Sequence, residues 1–393
     1  MKNQDPSQEH LQSIISLYNA GKLQQALSEA TQMMERFPNS FILYNISGAS
    51  NAALKRFDAA IVSYKQALRI KPDYAEVHNN MGSALSDKGD FEGAIESYKQ
   101  ALRIKPDYAG AYYNMGSVMK DKGDFEGAIK SYKQALRIKP DYAGAYNNMG
   151  NALSSKGDLE EAIESYKQAL RIKPDFAGAY NNMANAMKNK GDLVEAIESC
   201  KQALKIKPDY ADAYYNMANA MKDKGDLAEA IDSYKQALKI KPNYASAYYN
   251  MGNALNEKGN PEVAIDSFKQ AIKIKPDYAL AYNNMGNALS SKGDLEGAID
   301  CYNQAIRIKP DYAEGHCNLG AVLQLLNQSE PALASYEKAI SLKKDFNEAI
   351  SGLGLLLLNK GKHSEGLDKL IQGEGSILFS IEKGFSVKSG GKE

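Results

Sequence analysis

The 393 residues carry 48 Lys and Arg against 48 Asp and Glu, so no whole-molecule field draws nucleic acid or an anionic membrane surface to the chain. Three cysteines in so long a chain exclude a disulfide-built fold and fit a reducing, cytoplasmic setting. Length alone suggests roughly two or three globular domains, but internal repetition overrides that expectation.

Met1 to Leu11 are polar and mixed in charge, without the apolar stretch of a signal peptide, and residues 1–6 read as an N-terminal extension. From Ser7 the text returns every 34 residues in eleven units without insertion. They open at Ser7, Phe41, Ala75, Ala109, Ala143, Ala177, Ala211, Ala245, Ala279, Ala313 and Asn347. The run Ser-Tyr-Lys-Gln-Ala-Leu starts at Ser63 and recurs from Ser97, Ser131, Ser165 and Ser233. Such a period means a stacked array.

Within the unit Ala75 to Tyr108, residues His78, Met81, Gly82 and Leu85 recur at helical spacing and define a first helix that stops at Gly89. Asp90 then caps a second helix whose packing stripe is Ala94, Tyr98 and Ala101, and Pro106 closes the unit. Asp158 with Glu161, and Asp192 with Glu195, have capping-box spacing. The cations before each Pro, such as Arg103 and Lys105, complement the second helix's dipole, and Lys99 extends them into a solvated stripe offset by Glu96. The end units depart from the pattern as caps do, with Ile14 at the usual Gly position and Gly366 and Gly373 at Ala positions. Repeats occupy residues 7–370. In the tail, 371–393, the alternation of Ile377, Phe379 and Ile381 predicts a short strand or a packed cover, with a disordered end past Lys388. The longest apolar stretch, Ala349 to Leu358, is half the roughly 20 residues a membrane helix needs.

The pattern bulky-x-x-apolar-Gly-x-x-apolar, then Ala, Tyr, Ala and Pro, resembles the tetratricopeptide repeat. That resemblance implies an all-α fold, a right-handed superhelical solenoid of helix-turn-helix repeats whose first helices line a concave groove. If Tyr112, Met115, Gly116 and Met119 point inward, the 100° step puts Gly110, Asn114, Ser117 and Asp121 on the open face. The second of these positions is Asn in eight successive units: Asn80, Asn114, Asn148, Asn182, Asn216, Asn250, Asn284 and Asn318. Five units add another Asn three residues on, at Asn151, Asn185, Asn219, Asn253 and Asn287. Tyr113, Tyr215 and Tyr249, alternating with Asn79, Asn147, Asn181 and Asn283, form a rim that offers stacking surface.

An amide pairs with a peptide bond in both directions and reads no side chain. Helices stacked roughly 8–10 Å apart would meet about every third residue of a strand advancing roughly 3.3 Å per residue. The ladder therefore points to extended polypeptide. Units such as Tyr180-Asn181-Asn182-Met183-Ala184-Asn185 resemble the superhelical region of the O-linked N-acetylglucosamine transferases, in which an asparagine ladder holds substrate polypeptide. The repeats leave no room for a glycosyltransferase domain.

Other chemistry is not indicated. His316, Cys317 and Cys301 hold repeat positions that read as packing, groove rim and second helix, not as converging metal ligands. Cys200 replaces a packing Tyr. Lys88-Gly89-Asp90 and its copies are turns, not phosphate loops, and His10, His78, His316 and His363 are scattered. Lys120, Lys188 and Lys222 are the few basic residues of the groove. The expectation is a non-catalytic scaffold without cofactor or metal that binds protein or peptide segments. Two alternatives stand beside it: the substrate-recognition part of a protein-modifying enzyme, and a self-associating homo-oligomeric scaffold.

Overall fold

The computed structural model describes residues 5–380 and 384–389 and consists of helices in eleven pairs followed by a two-stranded hairpin. The first helix begins at Gln8, capped by Ser7, and the other first helices begin on the residues that open their units, from Phe41 to Asn347. We call the two helices of each repeat A and B; in repeat 4 they are Ala109–Asp121 and Phe125–Ile138.

The turn between A and B needs a left-handed residue. Gly supplies it in most repeats, as at Gly89 (φ 91°) and Gly157 (φ 98°), where the missing Cβ removes the steric penalty. Lys55 (φ 60°) and Asn327 (φ 56°) occupy the equivalent positions with a side chain.

Asp caps the B helix only in some repeats. Asp90, Asp124 and Asp294 accept from the backbone N–H of Gly93, Gly127 and Gly297, at 2.9, 2.9 and 3.0 Å. The capping-box expectation fails at Asp158, whose side chain makes no cap bond and pairs with Lys156 Nζ at 3.1 Å instead. Asp192 likewise pairs with Lys190, at 3.2 Å. The cause is steric: a Cβ at Gly93 or Gly297 would lie 2.6 Å from the capping carboxylate, and Glu161 and Glu195 carry that Cβ.

Inside each repeat a large B-helix ring fills the space over a small A-helix residue. A Cβ on Gly82, Gly116 or Gly252 would come within 2.7, 2.9 and 2.6 Å of the rings of Tyr98, Tyr132 and Phe268. Repeat 1 exchanges the sizes: Ile14 and Ala30 hold the same two positions and both are buried. In repeat 6 Ala184 and Cys200 hold them, both buried. In the last repeat Gly354 and Gly366 let the two backbones approach, since a Cβ on Gly366 would lie 2.9 Å from the carbonyl oxygen of Gly354.

After most B helices the chain turns through Pro, and from the second repeat to the tenth a Lys at the helix end lies over the aromatic ring three residues on. Lys105 Nζ is 5.1 Å from the Tyr108 ring centroid and Lys241 Nζ 4.2 Å from that of Tyr244. The same lysines sit at the dipole's negative end, so one cation serves both contacts.

The array divides into two compact units, Met1–Ile206 and Lys207–Glu393. In each, the B helix of one repeat packs on the A helix of the next, and successive A helices touch while successive B helices do not. The A helices thus form the inner layer of each unit. The last helix, His363–Glu374, continues into strand β1 (Gly375–Ser380), antiparallel to β2 (Gly384–Ser389), with Ile377 opposite Val387 and Phe379 opposite Phe385. Ile381 and the residues after Ser389 lie outside the described residues.

Candidate functional site: the asparagine face

The ladder residues Asn80, Asn114, Asn148, Asn182, Asn216, Asn250, Asn284 and Asn318 are half-buried along the A helices, four in each unit. They are tied into the array rather than simply standing in water. The ladder Nδ2 donates to the residue 35 positions earlier, at the rim position of the preceding repeat, and in Asn250, Asn284 and Asn318 also to the second-row asparagine 31 positions earlier. Asn114 donates to Asn79 Oδ1 at 3.1 Å and Asn182 to Asn147 Oδ1 at 3.1 Å. Asn148, Asn250 and Asn284 donate to the hydroxyls of Tyr113, Tyr215 and Tyr249 at 3.0, 2.9 and 3.1 Å.

The rim is therefore a buried seam in part. Asn79, Asn147, Asn181 and Asn283 are buried, and Cys317, at the same position, is buried too. Tyr113, Tyr215 and Tyr249 are half-buried, and their rings lie against aromatic neighbours of their own repeat: Tyr142, Tyr244 and Tyr278 have centroids 4.9, 4.9 and 5.0 Å away. Much of the stacking surface expected from these tyrosines is consumed internally.

The second asparagine row joins the same network. The B-helix hydroxyls of Tyr166, Tyr234 and Tyr302 donate to Oδ1 of Asn151, Asn219 and Asn287 at 2.8, 2.6 and 2.8 Å. Asn253 has Phe268 in that place and accepts from Asn284 Nδ2 at 2.8 Å. Asn185 is exposed and bonds to no described residue. Burial pushes the Tyr98 and Tyr132 hydroxyls up to about 12, so they remain neutral donors and acceptors at neutral pH.

One recess of about 430 Å³ opens on this face in the first unit. Asn151, Asn182 and Asn185 line it with Lys120, as the asparagine positions suggested; Phe125, Ser154, Ser155 and Tyr166 complete it. Sequence reading had no signal for these four, because they come from loop-proximal and core positions of two adjacent repeats.

The remaining candidates hold structural places. His78 and His316 pair through Nε2 with the carbonyl oxygens of Pro72 and Pro310, at 3.0 and 3.2 Å. Burial pushes the thiols of Cys200, Cys301 and Cys317 up to about 12, 11 and 11, where they are neutral and poorly nucleophilic. Among the described residues no group of three or more His, Cys, Asp or Glu side chains is placed to hold a metal, and no helix is long and apolar enough to cross a membrane.

Comparison with protein families agrees with this architecture. A profile described as TPR repeat matches residues 51–89, 82–123, 116–157, 150–191, 188–225, 218–259, 252–293 and 286–327, and one described as Tetratricopeptide repeat matches 313–346. The chain belongs to the tetratricopeptide repeat family. Among solved structures, the tetratricopeptide array is similar to MamA, at 32% identity over 41% of this chain and 94% of that one, with a TM-score of 0.39. It is also similar to yeast Tom70, at 16% identity over 93% and 91% of the two chains with a TM-score of 0.47. A third, YrrB, is described as a TPR protein with an unusual peptide-binding site; it is 24% identical over 48% and 96%, with a TM-score of 0.40. Comparison with curated proteins finds no match.

Proposed function

We propose that the A-helix face of each unit binds extended polypeptide, through Asn80 to Asn182 in the first and Asn216 to Asn318 in the second, and that the chain acts as a scaffold rather than a catalyst. The observation that carries this reading is hydrogen-bonding capacity left on a fixed row of amides. One N–H of each bonded ladder amide is spent on the preceding repeat, which locks the rotamer. The Oδ1 atoms of Asn114 and Asn250 accept no bond from a described residue, and Asn114 and Asn182 each keep a second N–H. Amides held at a constant repeat spacing present an ordered set of donors and acceptors to a peptide backbone. Their orientation costs little on binding, since the array has already fixed it. Three reduced thiols suit a cytoplasmic setting.

The test compares polypeptides retained from lysate by the full chain and by a variant with Asn114, Asn148, Asn182 and Asn250 changed to Ala. Because these amides also join repeats, a control of matched melting temperature altered only on B helices is needed. The reading expects the ladder variant to lose a defined set of partners that the control keeps. Retention of the same set by both would move binding off this face.

A further inference from the structure

We propose that the recess bounded by Lys120 is a subsite for an acidic side chain, an Asp or Glu of the bound polypeptide. This rests on the polypeptide-binding reading and adds to it: the ladder reads backbone, and this recess reads one carboxylate.

The recess is rich in donors. Tyr166 donates to Asn151 Oδ1 at 2.8 Å, which holds that oxygen toward the B helix and turns the Asn151 amide N–H groups outward. Asn182 spends one N–H on Asn147 and keeps the other. The hydroxyls of Ser154 and Ser155 and the amide of Asn185 make no bond to a described residue. Lys120 supplies the positive charge; Asp121 Oδ1 sits 3.1 Å from its Nζ, and the lysine side chain is 29% exposed. An ammonium with one carboxylate beside it leaves a site that suits a monoanion better than a dianionic phosphate. The volume of about 430 Å³ admits a carboxylate side chain with part of its backbone.

The corresponding positions in the second unit keep the lysine and the asparagines and differ in the wall around them. Lys222 is present, but Glu257 stands where Ser155 does and Phe268 where Tyr166 does. Phe268 has no hydroxyl, and Asn253 Oδ1 takes Asn284 Nδ2 instead, at 2.8 Å. A carboxylate of the protein itself therefore opposes an acidic ligand there. Of these two positions only the recess at Lys120 suits an acidic side chain, which fixes register on an otherwise degenerate ladder.

Random linear peptides displayed on phage are selected on the full chain, on Lys120→Gln, and on Lys122→Gln as a control that removes equal charge. Lys122 pairs with Glu92 outside the recess. Wild type and the control should enrich peptides with Asp or Glu at one fixed position, and Lys120→Gln should enrich peptides without that preference. For a selected peptide, replacing the acid by its amide should weaken binding about fivefold to wild type and leave binding to Lys120→Gln unchanged. Equal acid enrichment by wild type and Lys120→Gln, or the same amide penalty in both, would overturn the subsite while leaving backbone binding intact. No enrichment of any linear peptide by the wild type would overturn the polypeptide-binding reading and this inference with it.

Discussion

Replacing Asn284 by Ala should destabilise the second unit about twice as much as replacing Asn250, although both hold the same repeat position. Asn250 donates to the Tyr215 hydroxyl at 2.9 Å and to Asn219 Oδ1 at 3.0 Å. Its loss orphans nothing buried, because Tyr215 is half-buried and Asn219 Oδ1 still accepts from Tyr234. Exchanging those two bonds for water costs about 1 kcal/mol. Asn284 makes the matching pair, to Tyr249 at 3.1 Å and Asn253 at 2.8 Å, and also accepts from Asn283 Nδ2 at 3.1 Å. Asn283 is only 4% exposed, so the Ala variant leaves a buried donor short of its acceptor and adds about 1 kcal/mol, for a total of about 2 kcal/mol. Urea unfolding followed by far-ultraviolet circular dichroism reads the difference as a midpoint shift at constant slope. A repeat array need not unfold in one step, so hydrogen exchange of the A helices Ala245–Glu257 and Ala279–Ser291 localises the loss. Equal shifts, or a larger one at Asn250, would refute the claim that the buried seam amides depend on the ladder.

Two further predictions concern the turns between helices. Asp90→Ala should cost about 1 kcal/mol through the lost cap, whereas Asp158→Ala should cost under about 0.5 kcal/mol because only an exposed ion pair is lost; urea midpoints of the two variants check the contrast. Lys55→Gly should raise the stability of the first unit by about 1 kcal/mol, read as an upward shift in melting temperature, because it relieves a side chain at φ 60°.

Much of this was legible in the sequence. The 34-residue period placed the start of every A helix after the first to the residue, because Gly at the turn and Pro after the B helix punctuate most units with backbone constraints that tertiary context does not override. The asparagine row followed from helical spacing alone. What escaped was anything set by contacts between repeats. Asn79 and Asn147 occupy the position held elsewhere by Tyr113 and read as an exposed rim; that they are buried and accept the next repeat's amide depends on the register of adjacent A helices, which no single unit encodes. Asp158 and Glu161 have capping-box spacing, yet the Cβ at Glu161 displaces the carboxylate that Gly93 admits at Asp90. The recess at Lys120 draws on three A helices and two B helices, and its walls are ordinary residues in any one repeat.

The most direct test of polypeptide binding on the A-helix face is site-specific photo-cross-linking. A photoreactive residue is placed at exposed Asn185 on that face or at exposed Lys201 on the B helix Leu193–Ile206, and each full-length variant is irradiated with a bound linear peptide. The account predicts a covalent adduct from position 185 that excess unlabelled peptide suppresses, and none above background from position 201. An adduct from position 201 with none from 185 would contradict it.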